Sequence, residues 1–201
     1  MSINVCNDRS MASITSLPSG VSGSSLVLLE TQTASSSATI SFTSNIDSTY
    51  KEYQFHFIDI HPATEAAHFS FQADTGTNTN YNQTITSTAF TSTHNEADSE
   101  ALINYQTGSD LAQSTSFQHL TDQLEADNDS CAAGTLHIFD PSNTTFVKHF
   151  ISRNQHHQAD PSSREYYVAG YFNTTTALTR FQFKMSSGDI DAGTIKLYGV
   201  V

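Results

Sequence analysis

The chain has 201 residues and a formal net charge of −12, with 14% of its residues charged and no tryptophan. A single domain of this length buries enough surface to stand without disulfides or metals. Its Lys and Arg residues are scattered from Arg9 to Lys196, with no basic cluster to follow a phosphate backbone or an anionic membrane, so neither nucleic acid nor a membrane surface is expected as a partner.

Residues 1–25 are small, polar and punctuated by Gly and Pro, the composition of a flexible N-terminal arm rather than a packed element. They hold no basic start and no apolar core of signal-peptide length. No run in the chain approaches the roughly 18 apolar residues of a membrane span. A soluble, cytoplasmically made protein is expected, with its one domain over residues 26–201. Removing residues 1–24 is expected to leave that domain folded and to abolish assembly.

Strand signals start at residue 26. "SLVLLETQT" and "SATISFTS" flank the polar cluster 34–37 and predict two strands joined by a short turn. "YKEYQFHFIDI" alternates Tyr53, Phe55 and Phe57 against Glu52, Gln54 and His56, as a strand near the middle of a sheet does. Pro62 closes it, because proline withdraws a ladder donor. "AAHFSFQAD" alternates through Phe69 and Phe71, and "YNQTITSTAF" predicts a weaker strand.

Residues 91–133 are acidic and lack sustained alternation. "EADSEALINY" and "FQHLTDQLEA" predict short helical turns anchored by Leu102 and Ile103, then by Leu120 and Leu124. Strands return in "GTLHIFD", "TTFVKHFIS", "REYYVAGYF", "LTRFQFKMS" and "GTIKLYGV", with residues 153–163 as a polar connector. The last run puts Ile195, Leu197 and Gly199 on one face. It is expected to pair inside a sheet, with "RFQFKM" as its hairpin partner.

About ten strands at intervals of about 8–12 residues mark a sandwich or barrel. The expected fold is all-β: an antiparallel β-sandwich, jelly-roll-like, with a long partly helical excursion and an N-terminal arm.

Candidate chemistry is sparse. Asp59, His56, His61 and His68 offer a His/Asp set for a metal, but alternation with Gln and Ser makes solvated strand residues the simpler expectation. His156 and His157 in "RNQHHQADP" predict an exposed loop, or more sharply a pH-sensitive surface. Asp122, Glu125, Asp127 and Asp129 lack calcium-loop spacing and predict an acidic turn. Asn82, Asn128, Asn143 and Asn173 match N-x-[ST] as expected by chance in a Ser/Thr-rich chain, and predict turns. Cys6 and Cys131 predict two thiols, with a single disulfide left open. No G-x-S-x-G or phosphate loop appears. No enzymatic activity, cofactor or metal is expected, and no catalytic residue is assigned.

Tyr81, Tyr105, Tyr166 and Tyr167 stand in or near loops beside Asn, Asp and Gln, a composition that sugar recognition uses. Tyr166 and Tyr167 are adjacent on a predicted strand and must point to opposite faces. One serves the core, and the other meets solvent, a partner subunit or a ligand.

The blocks "GTLHIFDPSNTTFVKHFISR", "YYVAGYFNTTTALTRFQFKMSSGDIDAGTIKLYGV", "SATISFTSNIDSTYKEYQFHFIDIHPAT" and "GSDLAQSTSFQHL" resemble virion structural proteins of tailed bacteriophages, especially marine ones. The resemblance covers roughly residues 25–201 and carries no catalytic motif. It implies a β-sandwich assembly module on the capsid surface or tail, made in the host cytoplasm and bound to other virion proteins. A homotrimer is expected. The alternative from another class is a carbohydrate- or receptor-binding module of a tail fibre, with a host-surface glycan as partner.

Overall fold

The structure, a computed structural model, describes residues 25–158 and 161–201. The arm expected over residues 1–25 lies outside this range except for Ser25, and so does Cys6. In chain order the strands are β1 (Leu26–Ser37), β2 (Ile40–Phe42), β3 (Glu52–Pro62), β4 (Phe69–Thr75), β5 (Ile85–Asn95), β6 (Ala101–Tyr105), β7 (Gln118–His119), β8 (Ala132–Phe139), β9 (Lys148–Gln158), β10 (Ser162–Phe172), β11 (Leu178–Met185) and β12 (Ile190–Val200).

They form two sheets, an eight-stranded one in the order β1-β12-β3-β8-β9-β10-β5-β6 and a four-stranded one in the order β2-β11-β4-β7. Every strand pairing is antiparallel. The protein is all-β and sandwich-like. The chain passes from sheet to sheet at every step except β5 to β6, β8 to β9 and β9 to β10. Two pairs of strands interrupt that alternation. β5–β6 and β9–β10 are hairpins, and together they extend the large sheet by its last four strands. The large sheet therefore overhangs the small one.

Alternation explains the core. Tyr53, Phe55, Phe57, Leu136, Ile138, Phe150, Ile195 and Leu197 turn inward from the large sheet, and Phe69, Phe71, Phe181 and Phe183 from the small one. Phe183 packs against Phe55 at 5.0 Å and Phe57 at 5.4 Å across the gap. On its own sheet it meets Phe42, Phe69 and Phe71. Edge-to-face contacts dominate, as ring quadrupoles favour.

Four expectations are corrected. β12 is inside a sheet, but its neighbours are β1 and β3. "RFQFKM" is β11 in the other sheet, because residues 186–189 bridge the two sheets instead of folding back into a hairpin. β1 and β2 likewise lie in different sheets. The excursion holds no helix among the described residues. Leu120 and Leu124 mimic a helical repeat, but their amides bond the carbonyls of Phe69 and Ala67. Leu120 and Leu124 are buried by running beside β4, while Leu102 and Ile103 belong to strand β6. Lastly, residues 153–158 belong to β9 and are no connector, and His156 is fully buried.

The inner face of the overhang is polar where the rest of the core is aromatic. Ser87, Thr91, Thr93, Asn154, His156 and Ser162 are all buried there. Residues 106–131 fill the space between this face and β4. Their ties are largely side-chain bonds, as buried polar groups require. Asn154 Nδ2 donates to the Leu120 carbonyl at 2.9 Å, and Ser87 Oγ donates to Gln118 Oε1 at 2.5 Å. Gln72 Nε2 holds the carbonyls of Gln83, Thr115 and Ser116.

Candidate interaction face

The outer face of the overhang carries a row of four residues set side by side on neighbouring strands. Arg153 of β9 stands opposite Tyr167 of β10, Tyr167 opposite Phe90 of β5, and Phe90 opposite Tyr105 of β6. Directly opposed side chains on one sheet face are close enough to interact. The Tyr167 and Phe90 rings stack with centroids 4.6 Å apart and planes 9° off parallel. The Arg153 guanidinium lies over the Tyr167 ring, 5.6 Å from its centroid. Since β9 and β5 flank β10 on opposite sides, both faces of Tyr167 are occupied, and its edge is what remains for a partner.

Polar contacts fix the row. Tyr167 donates its hydroxyl to Glu165 Oε2 at 2.6 Å, and Arg153 Nε pairs with Glu165 Oε1. The Arg153 hydrogen bond, then that of Tyr167, holds Glu165 below the usual carboxylate range. Tyr105 donates to Asp110 Oδ2 at 2.8 Å. Those two carboxylates raise the Tyr167 and Tyr105 phenols, chiefly through the hydrogen bonds themselves. Around the row, Ile103 is 73% exposed, Tyr105 54%, Ile151 53% and Phe90 41%. In a chain of net charge −12, the charges in contact with this apolar patch are few: Arg153 and Glu165, which pair with each other, and Asp110, the acceptor for Tyr105.

The residues singled out from sequence are dispersed. His56 packs on Tyr198 on the outer face of β3, 4.7 Å between centroids. His61 Nδ1 meets the Ser130 carbonyl at 2.7 Å. His68 stacks on His119 between the sheets, at 4.3 Å. No group of three or more His, Cys, Asp or Glu side chains has metal-binding geometry among the described residues. Asp59 and His61 do line one open cavity of about 400 Å³ with Asp129, Cys131 and Asp191. Burial and then Asp59 push the Cys131 thiol up.

The acidic turn divides. Asp122 points inward to Arg164 Nη1 at 2.5 Å, Glu125 pairs with His157 at 2.8 Å, and Asp127 and Asp129 are exposed. Tyr166 and Tyr81 are buried and are no loop platform, whereas Tyr105 and Tyr167 face outward. Phe90, Ile103 and Arg153 complete the face. Phe90 and Arg153 were missed because each is one residue in an alternating strand, and only the register of β9, β10, β5 and β6 aligns them.

Apart from that face, a further exposed aromatic stands on the β8–β9 loop. Phe146 is 69% exposed and borders a cavity of about 540 Å³ with Phe139, Asp140, Asn143, His149 and Thr175. Asn143 Oδ1 accepts from the amides of Thr145 and Phe146 at 2.7 and 2.8 Å, which fixes the loop under the ring. Comparisons with protein-family models, with curated proteins and with solved structures give no match to this chain.

Proposed function

We propose that the chain is a non-enzymatic structural protein of a tailed-phage virion, a jelly-roll module that assembles through the outer face of β9, β10, β5 and β6. The strand order supports the jelly-roll reading. Without the two inserted hairpins, the sheets reduce to β1-β12-β3-β8 and β2-β11-β4-β7, two four-stranded sheets wound as paired Greek keys. The sequence blocks that resemble phage virion proteins support the setting, a particle component made in the host cytoplasm.

The observation that carries the assembly reading is the row Arg153–Tyr167–Phe90–Tyr105. Tyr, Phe and Arg are the residues enriched at protein interfaces, while Lys, Asp and Glu are depleted there. Copies of a strongly acidic chain repel one another over most of their surface, and an apolar patch with few charges is where they can meet. The partner is therefore first a second copy, with a homotrimer as the expected state and other virion proteins around it. Light scattering on the wild type should return a multiple of the 21.9 kDa chain mass, and Ile103→Glu with Ile151→Glu should return the monomer. A wild-type monomer at all concentrations overturns the reading.

A carbohydrate-binding role is the second reading, and the Phe146 cavity favours it. An exposed ring beside Asp, Asn and His suits a pyranose, whose apolar face stacks on an aromatic one. Retention on host-surface glycans that is lost in Phe146→Ala would support it. No retention in the wild type would remove it.

A further inference from the structure

Three imidazoles lie in the polar seam beneath the overhang. His156 is fully buried in β9, and neither of its ring nitrogens has a hydrogen-bond partner among the described residues. His119 of β7 and His68, just before β4, stack 4.3 Å apart and 11° off parallel. Ser109 Oγ lies 3.3 Å from His119 Nδ1, and His68 Nδ1 lies 3.9 Å from Asp122 Oδ1.

The groups facing this cluster are few. β10 contributes Arg164, directly opposite His156, and the Tyr166 ring, 6.5 Å from that of His156. β9 contributes His157, which pairs with Glu125. β8 presents Ala132 opposite His156, and β5 presents Thr93 opposite Arg164. From residues 106–131 come Asp110, Asp122 and Glu125. Asp122 is already bonded to Arg164 at 2.5 Å. Protonation of the imidazoles would thus add positive charge around a carboxylate that a guanidinium already engages, in a largely buried setting where His156 is fully enclosed.

We propose that residues 106–131 are a strap that acid releases, by protonation of the imidazoles it covers, while the aromatic core stays folded. The strap's own strand, β7, has two residues and pairs with β4 alone. Further backbone ties run to Ala67, Phe69, Ile85, Ser87 and Ala89. Side-chain bonds add to these, among them those of Gln72, Ser87, Asn154 and Arg164, with Thr86, Asn173, Glu65, His61 and His157 bonded to the segment nearer the surface. Such a segment opens at a lower free energy than β3 or β12, each paired on both sides. Burial holds both His156 and His119 near 4, well below the ordinary value for histidine, so the open form of the protein takes up protons that the closed one does not. Release also frees Asp110, the acceptor for Tyr105 on the outer face. That last step rests on the assembly reading; the strap itself does not.

Hydrogen exchange followed by mass spectrometry at pH 7.5 and pH 5.0, corrected for intrinsic rates, tests the proposal. Peptides from residues 106–131 should exchange at least tenfold faster at pH 5.0, and those from β3 and β12 less than twofold. In His119→Gln with His156→Gln the acid gain should largely disappear. The proposal is overturned if the strap does not speed up, if β3 and β12 speed up with it, or if the double variant folds and keeps the full gain. Should the double variant not fold, the order of opening in the wild type decides. The assembly reading fails separately, by the mass measurement.

Discussion

Tyr166 and Tyr167 are neighbours in β10 and point to opposite sides of the large sheet. The Tyr166 ring is fully buried in the polar seam, where burial pushes its phenol up to about 12. The Tyr167 ring stands outside, stacked on Phe90. A strand's period of two requires this split, but the two rings differ in what their loss removes. Tyr166→Ala empties a ring-sized volume beside His156 and should cost about 3–5 kcal/mol. Tyr167→Ala should shift Tm by no more than about 2 °C and weaken self-association. Thermal melts and light scattering on both variants check the pair. Equal melting losses would contradict the assignment of faces.

Alternation made most strands legible, and it fixed which side of each strand meets the core. Phe55, Phe57, Phe69, Phe71, Ile195 and Leu197 are inward as their patterns require. It does not name a strand's neighbour. β12 pairs with β3, which lies more than a hundred residues earlier in the chain, while β11 crosses to the other sheet. Alternation also fails where a core is polar. Asn154 and His156 alternate with Gln155 and His157, and a run with no apolar member resembles a loop. The outer row needed the register of four strands, which no local pattern carries. Tyr167 was visible as an outward ring, but its contacts with Phe90 and Arg153 were not.

Phe183 is the ring on which the aromatic half of the core converges, touching Phe42, Phe55, Phe57, Phe69 and Phe71. Phe183→Ala should lose about 3–5 kcal/mol, the range for deleting a buried ring. Phe146→Ala removes a ring of the same size from the surface and should stay within about 0.5 kcal/mol. Urea titration of both should give equal slopes and well-separated midpoints. Coincident midpoints would mean that Phe146 is part of the core.

Gly193 sits where the pairing of β12 with β3 slips register, and its φ is +124°. A Cβ there would meet the Asp59 carbonyl oxygen at 2.7 Å and Ile60 Cα at 2.9 Å. On the facing strand, Asp59 also has a positive φ, +53°. The bulge therefore needs a residue with no side chain. Gly193→Ala should destabilise by about 1–3 kcal/mol, the cost of forcing a side chain into such a conformation. Chemical denaturation would read the loss, and a neutral substitution would mean the bulge tolerates a methyl group.

Stability should fall with acid, and the sign follows from burial. His119 and His156 are both depressed from 6.5 to about 4 in the folded protein, first by desolvation. The unfolded chain binds their protons from about pH 6.5 downward, while the folded chain resists until about pH 4. Wherever the unfolded state holds more protons, stability drops as pH drops. Above pH 6.5 both states carry neutral rings and the two histidines contribute no slope. Between about 6.5 and 4 each can withdraw up to about 3 kcal/mol, from a shift of about 2.5 units at 1.36 kcal/mol per unit. The two share His68 and Asp122 as neighbours, so their losses need not add. Urea unfolding from pH 7.5 to pH 4.5 should show a steepening loss below pH 6.5. His156→Gln, even if less stable at neutral pH, should show a shallower slope over the same interval. Parallel pH curves for variant and wild type would mean that His156 does not titrate on unfolding, and the acid sensitivity would have to come from elsewhere.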